Sequence, residues 1–584
     1  MTGNSRRLAE LGLYAALSVY FTWPLLVTGG ALGIEDWDPL LFQHGAVLKS
    51  LVEYGAPPFW NPWYCGGNVL WQNPQAPLLT PAHPLALVVD LAVAMKINVA
   101  LHYLAGFTGM YVLLRRAFGI DSFAWRFVLG GTFTFAGGAA MHLAIGHASF
   151  LPYFYLPWVL WLFLRALDSG SLAAATGAGA LLALAIWNGG VYVVVMCGVA
   201  FALLCGVAAV CSRSWRPLGV LGFTGAMAGL LAAPKFLPVL LFVADPRKID
   251  IRTFPPGPDV MSPSMLLVSL MDPFQHRGLA LGGHKYGWAE YGNYLGPLGA
   301  PLIAAAVLLI LCGRPLDRER SIRAALGVTT AVLLLIAAGD FAALAPYSIL
   351  QSVPGFAGLR VPSRYLLVFT LFGTAAVASL LGTGGHRAGR AVPPAGVVAL
   401  ALVLGTVFLA HRNRQVFDGA FPYAPPAARF VFLARPPAPA IDAATDGWAP
   451  DSPMVRGLFG NRGVLRCNEP FHLPGSVDPA AGILLASGGA DVAGVRFSPN
   501  RIEFDVTATG SDGRITMNQR FARGWRSSAG PLAIDGATGL AYVRLPAGSA
   551  GRHAFAFTPP GLYAGIGLFA LGLLTAGWSW RRRL

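Results

Sequence analysis

LGLYAALSVYFTWPLLVTGGALGIEDWDPLLFQHGAVLKSLVEYG, residues 11–55, joins an apolar run to an acidic, aromatic loop. The run from Leu11 to Gly30 has the roughly 20 residues that a helix needs to cross the hydrocarbon core of a bilayer. Similar runs recur at about 94–114, 124–145, 150–167, 171–187, 190–211, 217–243, 294–312, 322–338, 364–382, 394–411 and 559–579. With 55% hydrophobic and only 12% charged residues among 584, and a mean hydropathy of +0.57, the chain reads as a mainly α polytopic membrane protein of about 12 spans. Trp23-Pro24 and the lack of a small-residue cleavage site mark the first run as a retained helix rather than a signal peptide.

The net charge of +15 is not spread as a nucleic-acid binder would spread it. Basic residues gather between apolar runs, at Arg6-Arg7, Arg115-Arg116 with Arg126, Arg165, Arg213 and Arg216, Arg314 to Arg323, Arg387 and Arg390, and Arg581 to Arg583. These positions fall at every second connection, as cytoplasmic loops require. Both termini are then cytoplasmic, and the first loop (31–93), the 245–293 loop, the 339–364 connection and 412–558 face outside.

Residues 38–54 place apolar side chains at helical spacing around Lys49 and Glu53, which predicts a helix lying on the membrane surface. From about Arg412 the chain turns Pro- and Ala-rich, then shows period-two alternation such as Arg501 to Val506, which predicts a small antiparallel β domain. Three parts follow: a transmembrane domain over 1–411, an outer β-rich domain over 412–558, and a last helix with a basic tail over 559–584. Cys197, Cys205, Cys211 and Cys312 lie in or beside apolar runs and read as packing residues. Cys65 and Cys467 fall where a disulfide is permitted, without any sign in the sequence that they meet.

Several segments, taken in order, carry a resemblance. They are Asp38-Pro-Leu-Leu-Phe-Gln43-His44, Pro58-Phe-Trp60-Asn61-Pro62, Gly66-Gly67-Asn68 and Asn73-Pro-Gln75-Ala-Pro77. Gly146-His147, Glu290-Tyr291-Gly-Asn-Tyr294, Arg360-Val-Pro362-Ser-Arg364 and Gly524-Trp525 follow. Together they resemble the YfhO-like bacterial membrane proteins of the GT-C glycosyltransferase superfamily. The resemblance implies a GT-C-like fold in the bacterial cytoplasmic membrane. It also implies hexosyl or pentosyl transfer, on the outer face, from a polyprenyl-phosphate donor to a cell-envelope glycan or lipid acceptor.

Such a transfer needs a base for the acceptor hydroxyl and cations for the leaving phosphate. The resemblance puts the base on an aspartate of the first outer loop. Asp38, at the family's spacing to Gln43-His44, comes first, Asp36 competes, and Glu35 is weaker. The aspartate pair is also a candidate holder of a divalent cation, Mg²⁺ or Mn²⁺. No His, Cys or Glu set has zinc-ligand spacing, which argues against a structural metal.

Arg360 and Arg364, four apart at the start of a helix, are candidate phosphate clamps, and Lys235 inside an apolar span is a third. Snorkelling to lipid headgroups is the plainer role for all three. Gln43, His44, Trp60, Asn61, Trp71, His147, Glu290 and Tyr294 are candidate substrate contacts, with Trp63, His276 and His284 nearby in the same loops; interface anchoring accounts for the tryptophans equally, and an ordinary surface role is the plainer one for the histidines and Glu290. Two other classes stay open: a transporter or flippase of lipid-linked sugars, and a non-catalytic envelope scaffold. Polar residues gathered at one face favour the enzyme, since transporters place theirs near the midplane.

Overall fold

In a computed structural model the described residues are 3–246, 249–250, 259–275, 287–313, 318–353, 355–356, 359–382, 396–421, 439–442, 454–465, 467, 471–509 and 513–581. Each of the twelve predicted runs is helical. Eight helices among the described residues are long and apolar enough to cross a membrane, and the chain is a multi-pass helical membrane protein. The remaining four runs fall short by that measure. Leu172–Trp187 and Gly296–Cys312 have 16 and 17 residues, so they reach only about 24–26 Å at 1.5 Å per residue. Ser321–Ala337 is also short, and Gly3–Leu26 carries Arg6, Arg7 and Glu10 in its first turns. Glu10 is buried and accepts from Nε and Nη2 of Arg126, at 2.8 and 2.5 Å, so this arginine in the first turn of the helix Phe123–Thr134 is neutralised in place.

The run at 124–145 is two helices, Phe123–Thr134 and Gly137–Ala144, because the chain breaks to meet another loop. Gly137 N–H donates to the Tyr294 carbonyl at 3.0 Å, and Asn413 Nδ2 donates to that carbonyl and to Phe135 O. A 3₁₀ stretch, Ala148–Tyr155, then leads into Leu156–Ser169. The last helix, Leu562–Arg581, packs on Arg216–Val243 through small residues. A Cβ on Gly565 would stand 2.5 Å from the Ala233 carbonyl oxygen, so only glycine lets the two backbones approach this closely.

Two lysines inside apolar helices tie the first loop down. Lys96 donates to Thr28 Oγ1, Gly29 O and Ala31 O at 2.7–2.8 Å, which satisfies all three ammonium protons. Lys235, fully buried between Pro234 and Pro238, donates to the Ala76 carbonyl. Lys235 is a candidate for the donor phosphate from sequence; in the structure its ammonium bonds to the loop backbone. The predicted surface helix exists as Trp37–Val52, but it does not lie with one face open. Most of its residues are buried, packed against Leu91–Arg116 and the short helix Met454–Phe459, and apolar exposure is confined to its end at Leu51 and Val52.

The β-rich region is a sandwich of two four-stranded antiparallel sheets. Its strands are β1 (Leu484–Ser487), β2 (Ala490–Ser498), β3 (Arg501–Thr509), β4 (Gly513–Met517), β5 (Trp525–Ser527), β6 (Ala533–Ile534), β7 (Ala541–Leu545) and β8 (Gly551–Phe557). The sheet orders are β6-β7-β4-β1 and β5-β8-β3-β2. Alternation puts Ile502, Phe504 and Val506 of β3 inside, against Ile515, Val543 and Phe555.

A hairpin from the first loop, Trp60–Asn61 paired with Asn68–Val69, plugs this core. Trp60 is fully buried, its ring 5.3 Å from Trp525 and 5.0 Å from Phe557, and its indole N–H donates to Gln519 Oε1 at 2.6 Å. Cys65 and Cys467 form a disulfide, Cα atoms 4.8 Å apart, that staples the same loop to the β-rich region. Closing a loop of 402 residues restricts the unfolded chain strongly. Replacing both cysteines by serine is expected to cost about 2–5 kcal/mol and to expose the 454–557 region to protease. Equal digestion of the oxidised and cysteine-free forms would show that packing alone holds the junction.

Candidate functional site

Asp36 is placed by a backbone dock. The Asp36 amide donates to Ile145 O at 2.9 Å, and the Trp37 indole N–H donates to the carbonyls of Leu143 and Ala144 at 3.0 and 3.2 Å. Gly146, at φ +88°, lies so close that a Cβ there would sit 2.3 Å from Trp37 N. This contact sets the first loop against the turn that carries His147.

Around that turn four side chains stand in a row. His147 Nε2 is 3.0 Å from Asp36 Oδ2, and His147 Nδ1 is 3.0 Å from Nδ1 of His142. His142 Nε2 lies 4.0 Å from Glu290 Oε2. Glu290 in turn takes a bidentate pair of bonds from Arg364, the Nε bond being 2.8 Å. The guanidinium sits over the rings of Tyr192 and Phe150, at 4.7 and 5.5 Å, and His142 stacks on Phe150 at 4.1 Å. The row runs from the open, at Asp36 (42% exposed), to the buried, at His142 (2%).

Neighbouring segments hold the inner end. Ser363 Oγ donates to the Glu290 carbonyl at 2.9 Å, and Asn293 accepts from Gly138 N and donates to Thr370 Oγ1, both at 3.1 Å. Val361 bends the chain ahead of Arg364 at φ +63°, a strained conformation for a β-branched residue. Burial pushes the Glu290 carboxyl up, but the Arg364 charge and hydrogen bonds, with the two histidines, pull it further down, to about 2.

Asp38 lies elsewhere. Its oxygens accept from the amides of Met454 and Val455 at 2.7 and 2.9 Å, so it holds the start of a helix that follows it by more than 400 residues. Burial drives its carboxyl from 3.8 up to about 6, against the lowering pull of the Val455 and Met454 amides and of Arg456. A folded value above the unfolded one means that the folded chain binds this proton more tightly. Its contribution is therefore fully present below about 3.8 and is lost as pH rises to about 6, a change of order 3 kcal/mol at most. Thermal unfolding in detergent is expected to show Asp38→Asn gaining on wild type across that window. A gap that stays constant with pH would mean that the amides offset the burial completely.

The other candidates sort by packing. His44 is buried against His83, Nδ1 to Nε2 3.2 Å; burial and the His83 charge keep it well below the usual histidine range. Asn61 is buried with Oδ1 on the Trp63 amide, and Trp63 donates to Asn461. Trp60 has no face left for a sugar. Trp71 is half-buried, its indole bound to Pro234 O at 2.7 Å and its ring edge-on to Trp187. Tyr294 is buried, Gln43 and Arg360 are half-buried, and His276 and His284 lie outside the described residues.

The structure therefore joins Asp36, His147, Glu290 and Arg364, and leaves Asp38, His44, Trp60, Asn61 and Lys235 in the packing of the first loop. His142 and Tyr192 were missed by the sequence reading. A histidine inside an apolar run is itself a signal, because a polar ring there needs a partner, and His142 lies five residues before His147. Tyr192 offered none, since aromatic residues at span ends are common.

No protein-family model matches the chain, and no curated protein matches it. Two solved structures overlap it in part, both cryo-EM structures of the arabinofuranosyltransferase AftD from Mycobacteria, one of them a mutant form. The mutant aligns at 18% identity over 70% of this chain and 28% of its own; the other aligns at 20% identity over 70% and 26%; the TM-score is 0.39 in each. The chain spans about a quarter of the length of those proteins.

Proposed function

We propose that the protein is a membrane glycosyltransferase of the GT-C kind. It transfers a hexosyl or pentosyl group from a polyprenyl-phosphate carrier to a cell-envelope acceptor, which is a polysaccharide, a teichoic-acid-like polymer or a glycolipid. The reaction takes place on the outer face of the bacterial cytoplasmic membrane. Asp36 is the base, and Asp38 is structural. The observation that carries this reading is the pairing of a half-open Asp36 with His147 at the rim of a buried polar row, on the end of the helices that the positive-inside pattern turns outward. The resemblance of the first loop and of the Glu290 and Arg360–Arg364 segments to YfhO-like proteins points the same way.

In this mechanism Asp36 takes the acceptor proton as the hydroxyl attacks the anomeric carbon, and His147 holds the carboxylate in place. The sugar–phosphate bond breaks with its electron pair going to the lipid phosphate. Arg360 and Arg364 remain the candidate cations for that phosphate, with Arg364 held in place by Glu290. The test is transfer of label from a panel of radiolabelled polyprenyl-phosphate sugars to envelope material by membranes carrying the protein. Transfer above vector-only membranes is the expected result; its absence for every donor, with a known transferase working alongside, would discard the enzyme reading.

A further inference from the structure

Asp36, His147, His142 and Glu290 are separated by three gaps, and two neutral imidazoles supply only two N–H protons. If His147 gives its Nε2 proton to Asp36, its Nδ1 presents a lone pair to His142. His142 must then carry its proton on Nδ1, which leaves a bare Nε2 facing Glu290 Oε2 across 4.0 Å. Moving that proton to Nε2 instead sets two lone pairs against each other at 3.0 Å. Either way one of the three gaps is left with no proton to bridge it.

We infer that His142, His147 and Glu290 bind a divalent transition-metal ion of the zinc class, with Asp36 holding His147 from outside the coordination shell. Among the described residues these three form the one group of His, Cys, Asp or Glu side chains whose ligand atoms all lie within 4.8 Å of one another. Ligands at about 2.0–2.2 Å from such an ion stand roughly 3–4 Å apart, so the closure required is small. The carboxylate on the far nitrogen of His147 fixes the tautomer that a metal ligand needs. Two imidazoles select a transition metal over Mg²⁺ or Ca²⁺. The pair Asp36 and Asp38, considered from sequence, is not the cation site: Asp38 is spent on Met454 and Val455.

Three protein ligands leave a coordination position free, and the exposed side of the row is the Asp36 rim. Counting the ion as +2, Arg364 as +1 and Glu290 and Asp36 as −1 each, the site carries +1 and suits an anionic oxygen, either of a metal-bound hydroxide or of a phosphate. The site shares Asp36 and His147 with the proposed sugar transfer, but its test needs no turnover.

Purified, untagged full-length protein, stripped with chelator and re-equilibrated with Zn²⁺, is expected to keep one ion per chain through dialysis, counted by mass spectrometry. The double variant His142→Ala, His147→Ala is expected to keep none, and Asp36→Asn to bind about 10–100-fold more weakly. Loaded with Co²⁺, His147→Cys is expected to show a thiolate-to-metal absorption band absent from wild type. Wild type retaining no ion, or the double variant retaining it, overturns the site. So does a His147→Cys protein of native elution volume that holds Co²⁺ without the band.

Discussion

Asp36→Asn is expected to lower sugar transfer by about 10²–10⁴-fold at unchanged expression, the loss typical of removing a positioned base. Asp38→Asn is expected to stay within about tenfold of wild type. The two residues are a helical half-turn apart, yet the fold gives them opposite surroundings. Asp36 sits half open with one oxygen on His147, whereas Asp38 is buried with both oxygens on backbone amides. A carboxylate that already accepts from two buried amides has little freedom to take a proton from an acceptor, and its loss acts first on the Met454–Phe459 junction. Parallel assays of radiolabel transfer and detergent-solubilised thermal stability separate the two effects. If Asp38→Asn abolishes transfer in a protein of wild-type stability while Asp36→Asn is active, the assignment of the base is reversed.

The second large effect is expected at Glu290 and Arg364. Either Glu290→Gln or Arg364→Gln alone leaves one buried charge without its partner, a change that commonly costs about 3–5 kcal/mol. The double variant, in which both charges are gone, is expected to recover much of that loss, since a buried pair is worth far less than the penalty of breaking it. Both side chains are close to nine-tenths buried, so solvent screening does little to soften the single variants. The readout is thermal unfolding of the four proteins of the cycle. Additive losses would mean that Glu290 and Arg364 do not act as a pair.

The helices were legible because a bilayer demands long apolar runs, a signal that local composition carries. Where the reading slipped, an interaction distant in sequence was the cause. The 124–145 run breaks because Gly137 bonds to the Tyr294 carbonyl, and the helix at 37–52 is covered because Met454–Phe459 lies against it. Trp60 and Asn61 looked like sugar contacts because aromatic and amide side chains in an outer loop suit carbohydrate. Their burial depends on a sandwich whose strands begin more than 400 residues later.

The candidate site was half visible. Asp36, His147, Glu290 and Arg364 were each picked out by residue type and position, but as separate contacts, with Asp38 ranked above Asp36. Linear spacing carries no information on which of two neighbouring acids faces an imidazole and which caps a helix. His142 was overlooked because the apolar context that hides it in the sequence is the same burial that makes its partners matter.

By itself the sequence determined a polytopic helical protein with a small β-rich region between its last two helices, because hydropathy and alternation are local properties of the chain. Only the tertiary structure decided that Cys65 meets Cys467, that Lys235 and Lys96 hold the first loop, and that two histidines lie between Asp36 and Glu290. Those outcomes depend on contacts between residues tens to hundreds of positions apart, and packing geometry, rather than composition, selects among them.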